Sequence, residues 1–197
     1  MNKFYTTLVA GLLFATPTLA DKKSYDYTQH NFTVKTGNVA LTYRDHDTLD
    51  KSMGQIDYKI EGFTTSYRYQ DSKGEVEHRV RLTSPTLLKV GNLKVSSRLE
   101  YRMFDKESKD DFGNVWIRAK YSQSLFGDLS GYIAVQPKLA FASDKFDDGE
   151  FYSAQNQVGL DYKVNSNLTV GAFYEQNTDE DWHVAEEFIG TNVTVKF

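Results

Sequence analysis

An alternation that indicates the fold is clearest in the stretch LKVSSRLEYRM, residues 93–103. One set of alternate side chains carries no formal charge: Leu93, Val95, Ser97, Leu99, Tyr101 and Met103. The other set holds every charge of the stretch: Lys94, Ser96, Arg98, Glu100 and Arg102. Successive side chains of a β-strand point to opposite faces of a sheet. The stretch therefore predicts a strand with one apolar face and one face suited to water or ion pairs.

The same alternation occurs in ten stretches from residue 39 to the end of the chain. In each of them Asp, Glu, Lys and Arg occupy only one of the two sets of alternate positions, which we call the polar parity. The stretches are Val39–Arg44, Gln55–Glu61, Phe63–Gln70, Val76–Thr83, Leu93–Phe104, Asn114–Gln123, Leu129–Ala142, Phe151–Val164, Leu168–Glu175 and Phe188–Phe197. A dry outer face and a polar inner face are typical of a transmembrane β-barrel. We therefore predict an all-β, antiparallel transmembrane barrel of ten strands, with twelve strands as the alternative.

The connectors between these stretches alternate in length. Short ones contain turn residues, at 61–62, 91–92, 126–128 and 165–167, whereas longer ones occupy 45–54, 71–75, 105–113, 143–150 and 176–187. Outer-membrane barrels have short periplasmic turns, longer external loops and an even strand number. Ten strands place both termini at the short-turn end, so we treat Phe32–Lys35 as a lead-in or an extension of the first strand. Pro85 interrupts the alternation and predicts a bulge near the same rim.

A water-soluble barrel of lipocalin type also alternates, but its apolar face points inward. Tyrosines near the strand ends favour the membrane interpretation, since aromatic girdles mark both interfaces. They are Tyr43, Tyr58, Tyr67, Tyr69, Tyr101, Tyr121, Tyr162 and Tyr174. Phe197 ends the last strand on the apolar parity, as in outer-membrane barrels.

The N-terminus predicts export. A positive start at Lys3, an apolar segment at residues 8–15 and the small-residue sequence Thr18-Leu19-Ala20 are typical of a signal peptide at residues 1–20. Residues 21–197 are then the barrel domain, which we predict to lie in the outer membrane of a Gram-negative cell. The expected partners are membrane lipid, lipopolysaccharide, small acidic solutes and, through Phe197, the barrel-assembly machinery. Nothing predicts a nucleic-acid partner.

The polar parity is basic although the chain has a net charge of −4. Its bases are Arg44, Lys59, Arg68, Arg79, Arg81, Lys94, Arg98, Arg102, Arg118, Lys120, Lys138, Lys163 and Lys196. Its acids are Asp57, Glu61, Glu77, Glu100, Asp161 and Glu175. Inward guanidinium groups match carboxylates and line anion-preferring pores. The alternative is that Arg and Glu pair with one another and fill a narrow barrel.

We accordingly predict a pore lining for passive diffusion of small acidic solutes. The candidate solute-binding residues are Arg68, Arg79, Arg81, Arg98, Arg102, Arg118, Lys120, Trp116 and Tyr132. Inward aromatic rings, including Phe104 and Phe173, have two interpretations: they stack on sugars, or they fill and stiffen the lumen.

The sequence predicts no catalytic site, no metal site and no cofactor. Acidic residues cluster in the longer connectors, for example Asp144, Asp147, Asp148 and Glu150, but their spacing matches no calcium loop. His183 follows Asp179 and Asp181 without the further acid pair that a rim protease requires. A closed structural or adhesion-type barrel remains the first alternative function, and a barrel enzyme the second.

The chain resembles the small oligogalacturonate-specific (KdgM-like) porins. The resemblance rests on Leu99-Glu100-Tyr101-Arg102, on residues 115–121 (VWIRAKY), on Gln136-Pro137-Lys138, on residues 159–162 (GLDY) and on the last strand ending in Phe. It implies a narrow twelve-stranded barrel whose arginine track passes acidic oligosaccharides, and it suggests uronate oligosaccharides as the solute.

Overall fold

A computed structural model describes residues 26–46, 50–106, 110–143 and 148–197. The predicted signal peptide, the new N-terminus at Asp21 and the loop acids Asp144 and Asp147 lie outside these ranges. The described residues form β-strands and connectors only. Among them, no helix has the length and apolar character needed to cross a membrane.

The described residues contain twelve strands. They are β1 (Asp26–Thr36), β2 (Val39–His46), β3 (Lys51–Ile60), β4 (Phe63–Ser72), β5 (Glu75–Thr83), β6 (Leu88–Val90), β7 (Leu93–Phe104), β8 (Phe112–Phe126), β9 (Leu129–Phe141), β10 (Phe151–Lys163), β11 (Leu168–Thr178) and β12 (Val184–Lys196). Eleven of them close into a barrel in chain order, with β5 paired to β7 and β1 to β12. The short strand β6 lies outside this barrel and pairs with β7.

The predicted barrel class is confirmed, but the predicted count of ten strands is wrong, and the alternative of twelve matches the total number of described strands and not the eleven that close the barrel. Residues 26–36 form a full strand that hydrogen-bonds to β2 on one side and to β12 on the other. The pairing of β1 with β12 is parallel, whereas the other pairs are antiparallel. An odd number of strands joined by hairpins makes one parallel contact unavoidable.

The expectation that both termini lie at the short-turn end is also wrong for the described chain. Asp26 begins β1 at the end of the barrel that carries the longer connectors, which we call the loop end. Phe197 follows β12 at the opposite, short-turn end, which we call the turn end, and its amide donates to the carbonyl of Lys35 at 2.9 Å. The reason for both errors is the composition of β1. Its outward positions are apolar only at Phe32 and Val34, so its loop-end half shows no alternation.

The irregularity predicted at Pro85 is present. Strand β5 ends at Thr83, and the chain resumes pairing with β7 at Leu88. Between them the amides of Ser84 and Leu87 donate to β7 carbonyls at 2.8 Å each. Strand β6 thus continues the β5–β7 hairpin beyond the rim of the barrel at the turn end.

The apolar parity faces outward, as predicted for a membrane barrel and opposite to a soluble one. Leu99 and Ile117 are 49% and 44% exposed, while Glu100 and Trp116 on the other parity are 1% and 6% exposed. Most of the predicted girdle is exposed on the outer surface: Tyr43, Tyr58, Tyr67, Tyr69, Tyr101, Tyr162 and Tyr174. The barrel therefore buries polar side chains inside and leaves apolar ones outside.

Inside the barrel, aromatic rings lie across glycines of neighbouring strands. We expect Gly190→Ala to lower the free energy of unfolding by about 1–3 kcal/mol, the usual cost of overpacking. A Cβ at Gly190 would lie 2.2 Å from Cζ of Phe173, its cross-strand partner, and 2.7 Å from the carbonyl oxygen of Gln29. Gly54→Ala is the matched control, since no atom lies within 4 Å of its added Cβ. Urea unfolding of the refolded barrel measures both, and equal losses would contradict this packing.

Candidate functional site

A cavity of about 480 Å³ occupies the lumen from its middle towards the turn end. Arg44, Arg68, Arg81, Arg98, Arg118, Lys120, Trp116 and Tyr132 line one part of its wall. Asn31, Asn192, Gln136, Gln155, Gln157, Asp161 and Glu175 line another. Seven of the nine predicted solute-binding residues are therefore brought together. Arg79 and Arg102, the other two, lie nearer the loop end.

The inward arginines divide into a paired and an unpaired group. In the paired group, two carboxylates hold three guanidinium groups across β5 and β7. Arg79 contacts Glu77 at 2.7 Å and Glu100 at 3.6 Å. Arg81 pairs with Glu100, and Arg102 pairs with Glu77. These arginines fill the lumen in the way that the alternative interpretation of the basic face predicts, and we call this group the Glu77–Glu100 cluster.

The unpaired group lines the cavity. Within the described ranges, no carboxylate lies within 4.0 Å of the cationic nitrogens of Arg68, Arg98, Arg118 or Lys120. Arg68 Nε donates to Gln55 at 2.9 Å, and Arg98 Nε donates to the hydroxyl of Thr83 at 3.0 Å. None of these cations makes a direct ion pair with a described carboxylate, and the cavity lining as a whole holds eight cationic side chains against two carboxylates, Asp161 and Glu175. The cavity wall therefore presents cations to whatever fills it.

Arg81 connects the two groups. Its Nη1 donates at 2.9 Å to the same Gln55 oxygen that Arg68 uses, while its Nε binds Glu100. Its Nη2 is buried and has no hydrogen-bond partner among the described residues. An unsatisfied buried donor is costly unless an acceptor completes it. Other atoms of Arg81 line the cavity, but Nη2 itself is shielded from it.

The two aromatic rings predicted to contact solute are already occupied. Trp116 has three cations near its ring: Arg98 at 5.1 Å, Arg81 at 5.9 Å and Lys138 at 4.6 Å. Tyr132 lies between Lys120, whose Nζ is 3.8 Å from the ring centroid, and Gly159, whose added Cβ would come within 2.5 Å of the ring. Both rings are buried. The geometry favours stiffening of the lumen over stacking on a sugar.

An amide network that we did not predict faces the basic wall. Gln136 donates to Gln155 at 2.6 Å, and Gln155 donates to Glu175 at 2.6 Å. Gln157 donates to the second oxygen of Glu175 at 3.2 Å. These side chains occupy the polar parity of β9, β10 and β11, so the alternation places them inward. The three glutamines are uncharged, so the pattern of charges along the strands does not mark them as site residues. The network gives the cavity uncharged donors and acceptors.

A layer of buried side chains separates the cavity from the loop end. We call it the loop-side layer: Gln29, Met53, Gln70, Glu77, Glu100, Asn114 and Phe188, all inward-facing and each at most 9% exposed. Inward side chains nearer the turn end, such as Thr42 and Lys120, are partly exposed. Met53 also lines the cavity. The cavity therefore opens towards the turn end, and the buried inward side chains of the loop-side layer lie on its loop-end side.

The histidines near carboxylates have local structural partners. Asp179 accepts hydrogen bonds from the amides of Asp181 at 3.1 Å and of His183 at 2.8 Å, and so closes a turn. On the outer surface, His78 contacts the Tyr67 hydroxyl at 2.6 Å and Asp105 at 3.3 Å. Across the described ranges, no group of three or more His, Asp or Glu side chains is arranged to hold a metal ion.

No protein-family model matches the chain, and no curated protein matches it well enough to count as a relative. Fold and lumen geometry therefore carry the functional argument.

Proposed function

We propose that the chain is an outer-membrane channel that binds small acidic solutes in its lumen and passes them by diffusion. One observation carries this proposal: cations outnumber carboxylates eight to two in the lining of one cavity, and Arg68, Arg98, Arg118 and Lys120 make no ion pair there with a described carboxylate. Packing alone is better served by neutral side chains, because buried uncompensated charge is costly. An anionic solute supplies the missing partner.

The proposal includes a location and partners. The apolar outer surface, with tyrosines towards both ends, suits a bilayer, and the short turns then face the periplasm. Phe197 is 82% exposed at that end, where the assembly machinery can bind it. The resemblance to the oligogalacturonate-specific porins suggests uronate oligosaccharides, and the hydrogen-bonding amides opposite the arginines suit hydroxylated acids. No catalytic group enters this proposal.

Replacing Arg68, Arg98 and Arg118 by Gln tests the proposal. The triple variant should shift the reversal potential of the refolded protein towards cation preference in a planar bilayer under a salt gradient. The reason is that the cavity loses three positive charges that form no ion pair with a described carboxylate. Replacement of Lys51, Lys73 and Lys106 by Gln removes the same charge near the loop end, outside the cavity, and should shift the potential much less. An unchanged potential in the arginine variant would assign these side chains to packing.

The loop-side layer favours a second candidate, a closed structural barrel without transport. Its seven buried side chains lie inside the barrel between the cavity and the loop end, where they would narrow or block a passage. Absence of any conductance from the folded protein would support this candidate and remove the channel proposal.

A further inference from the structure

A set of lysines surrounds the turn-end opening of the cavity. We call it the lysine mouth: Lys35, Lys59, Lys89, Lys94, Lys120, Lys163 and Lys196, from seven different strands. Six of them are exposed, and Lys120 is partly exposed. Each lies on the inward parity, in register with cavity-lining residues on its own or the adjacent strand. Lys35, Lys120 and Lys196 line the cavity itself, so the mouth and the cavity are continuous.

The lysine mouth is only partly compensated, because the described turn-end half carries four acids, Asp57, Glu61, Asp128 and Asp161, against its seven lysines. No carboxylate of the described residues lies within 4.0 Å of any of its seven ammonium groups. Three of them stand in one cross-strand row, because Lys89 is directly opposite Lys94 and Lys94 is directly opposite Lys120. Like charges placed directly opposite each other destabilise a sheet. An anion held between them would offset this repulsion.

The other end of the barrel has the opposite charge. The described connectors of the loop end carry the exposed or half-exposed acids Asp50, Asp105, Asp110, Asp111, Asp148, Glu150, Asp179, Glu180 and Asp181. The barrel strands have 8 to 15 residues and rise about 3.3 Å per residue. The two ends are thus several screening lengths of about 8 Å apart at physiological salt. The loop-end acids are therefore too far away to cancel the net positive field of the lysine mouth.

We infer that the cavity takes its ligand from the turn end, and that the lysine mouth is a capture site for multivalent phosphate- or carboxylate-bearing anions. The inference deepens the proposed function by assigning the end from which acidic solutes are loaded. It follows from three features together: a cavity that reaches the turn end, a layer of buried side chains on its loop-end side and net charges of opposite sign at the two ends. Flexible ammonium groups suit capture and release, whereas the arginines inside hold a more fixed geometry.

Charge-selective cysteine labelling tests the field at each end of the full-length, detergent-folded protein. Asn92→Cys places a thiol in the turn beside the mouth, and Ser72→Cys places one at the loop end. For each thiol, the rate with an anionic methanethiosulfonate is divided by the rate with a cationic one. We expect this ratio to be about tenfold or more higher at position 92, the lower range of electrostatic steering. Adding Lys89→Gln and Lys94→Gln should remove most of the difference. Equal ratios at the two positions would overturn the inference.

Capture is tested in the same preparation with two trivalent or higher anions, tripolyphosphate and propane-1,2,3-tricarboxylate. Either should slow the labelling of Asn92→Cys by the anionic reagent, and not that of Ser72→Cys. Protection by one probe alone identifies phosphate or carboxylate as the preferred group. Protection by neither, or equal protection at both ends, would reject a capture site. These outcomes do not depend on conductance, so failure here is distinct from failure of the channel proposal.

Discussion

Replacement of Arg81 by Met should lower the free energy of unfolding by about 3–5 kcal/mol, the usual cost of breaking a buried ion pair by removing one partner. Arg81 and Glu100 are 2% and 1% exposed, and they contact each other directly within the Glu77–Glu100 cluster. Methionine keeps much of the volume but leaves Glu100 with Arg79, 3.6 Å away, as its remaining ion-pair partner. The carboxylate then stays buried without enough compensation.

Two further variants separate the ion pair from simple packing. Arg98→Met removes a guanidinium on the neighbouring strand that has no carboxylate partner among the described residues, and we expect it to cost much less. Arg81→Met combined with Glu100→Gln should cost less than the sum of the two single changes, because the buried charge is removed with its partner. Urea unfolding in lipid vesicles measures the free energy of unfolding of Arg81→Met, Arg98→Met, Glu100→Gln and the double variant. Equal losses for Arg81→Met and Arg98→Met, or simple additivity in the double variant, would contradict the role assigned to the pair.

Met53→Ala combined with Phe188→Ala should increase conductance severalfold. Both side chains are 2% exposed and belong to the loop-side layer that separates the cavity from the loop end. Truncation removes apolar volume from this layer and leaves the Glu77–Glu100 cluster in place. The passage beside the cluster, between the cavity and the loop end, should then be wider.

The matched control is Ile56→Ala with Ile189→Ala, on the same two strands but on the outer surface, where both side chains are exposed. It should leave conductance unchanged. Each single variant is measured as well, since large-to-small changes in a packed interior commonly cost 2–5 kcal/mol. Heat-modifiable migration on gels shows which variants fold. Folded variants without increased conductance would show that Met53 and Phe188 do not close the lumen.

The alternation along each strand was sufficient to predict the barrel class and the inward position of the charges. A side-chain period of two is a local property, so residues 93–103 carry it without reference to any other strand. The short turns could also be predicted, because their conformation depends only on the turn residues themselves. Glu61 and Gly62 adopt φ angles of +48° and +87°, as a two-residue hairpin turn requires.

Strand number depended on a contact that no local pattern encodes. Strand β1 is half polar on its outward face, and it is held by pairing with β2 and, in parallel, with β12. Asn31 donates to Asn192 at 2.8 Å across this closing contact, between residues far apart in the chain. The even strand number of outer-membrane barrels argues against counting β1 as a strand. The sequence cannot correct this expectation, because it does not show which strands meet where the barrel closes.

For the candidate site, too, one part could be predicted from the sequence and another depended on the tertiary structure. The sequence by itself determined which residues face inward: all nine predicted solute-binding residues lie on the inner parity. Tertiary structure decided what each one does there. Arg79, Arg81 and Arg102 are paired with Glu77 and Glu100, whereas Arg68, Arg98 and Arg118 face the cavity. The direction of a side chain follows from the backbone of its own strand, but its partners depend on the register between strands, which is set only when the sheet closes.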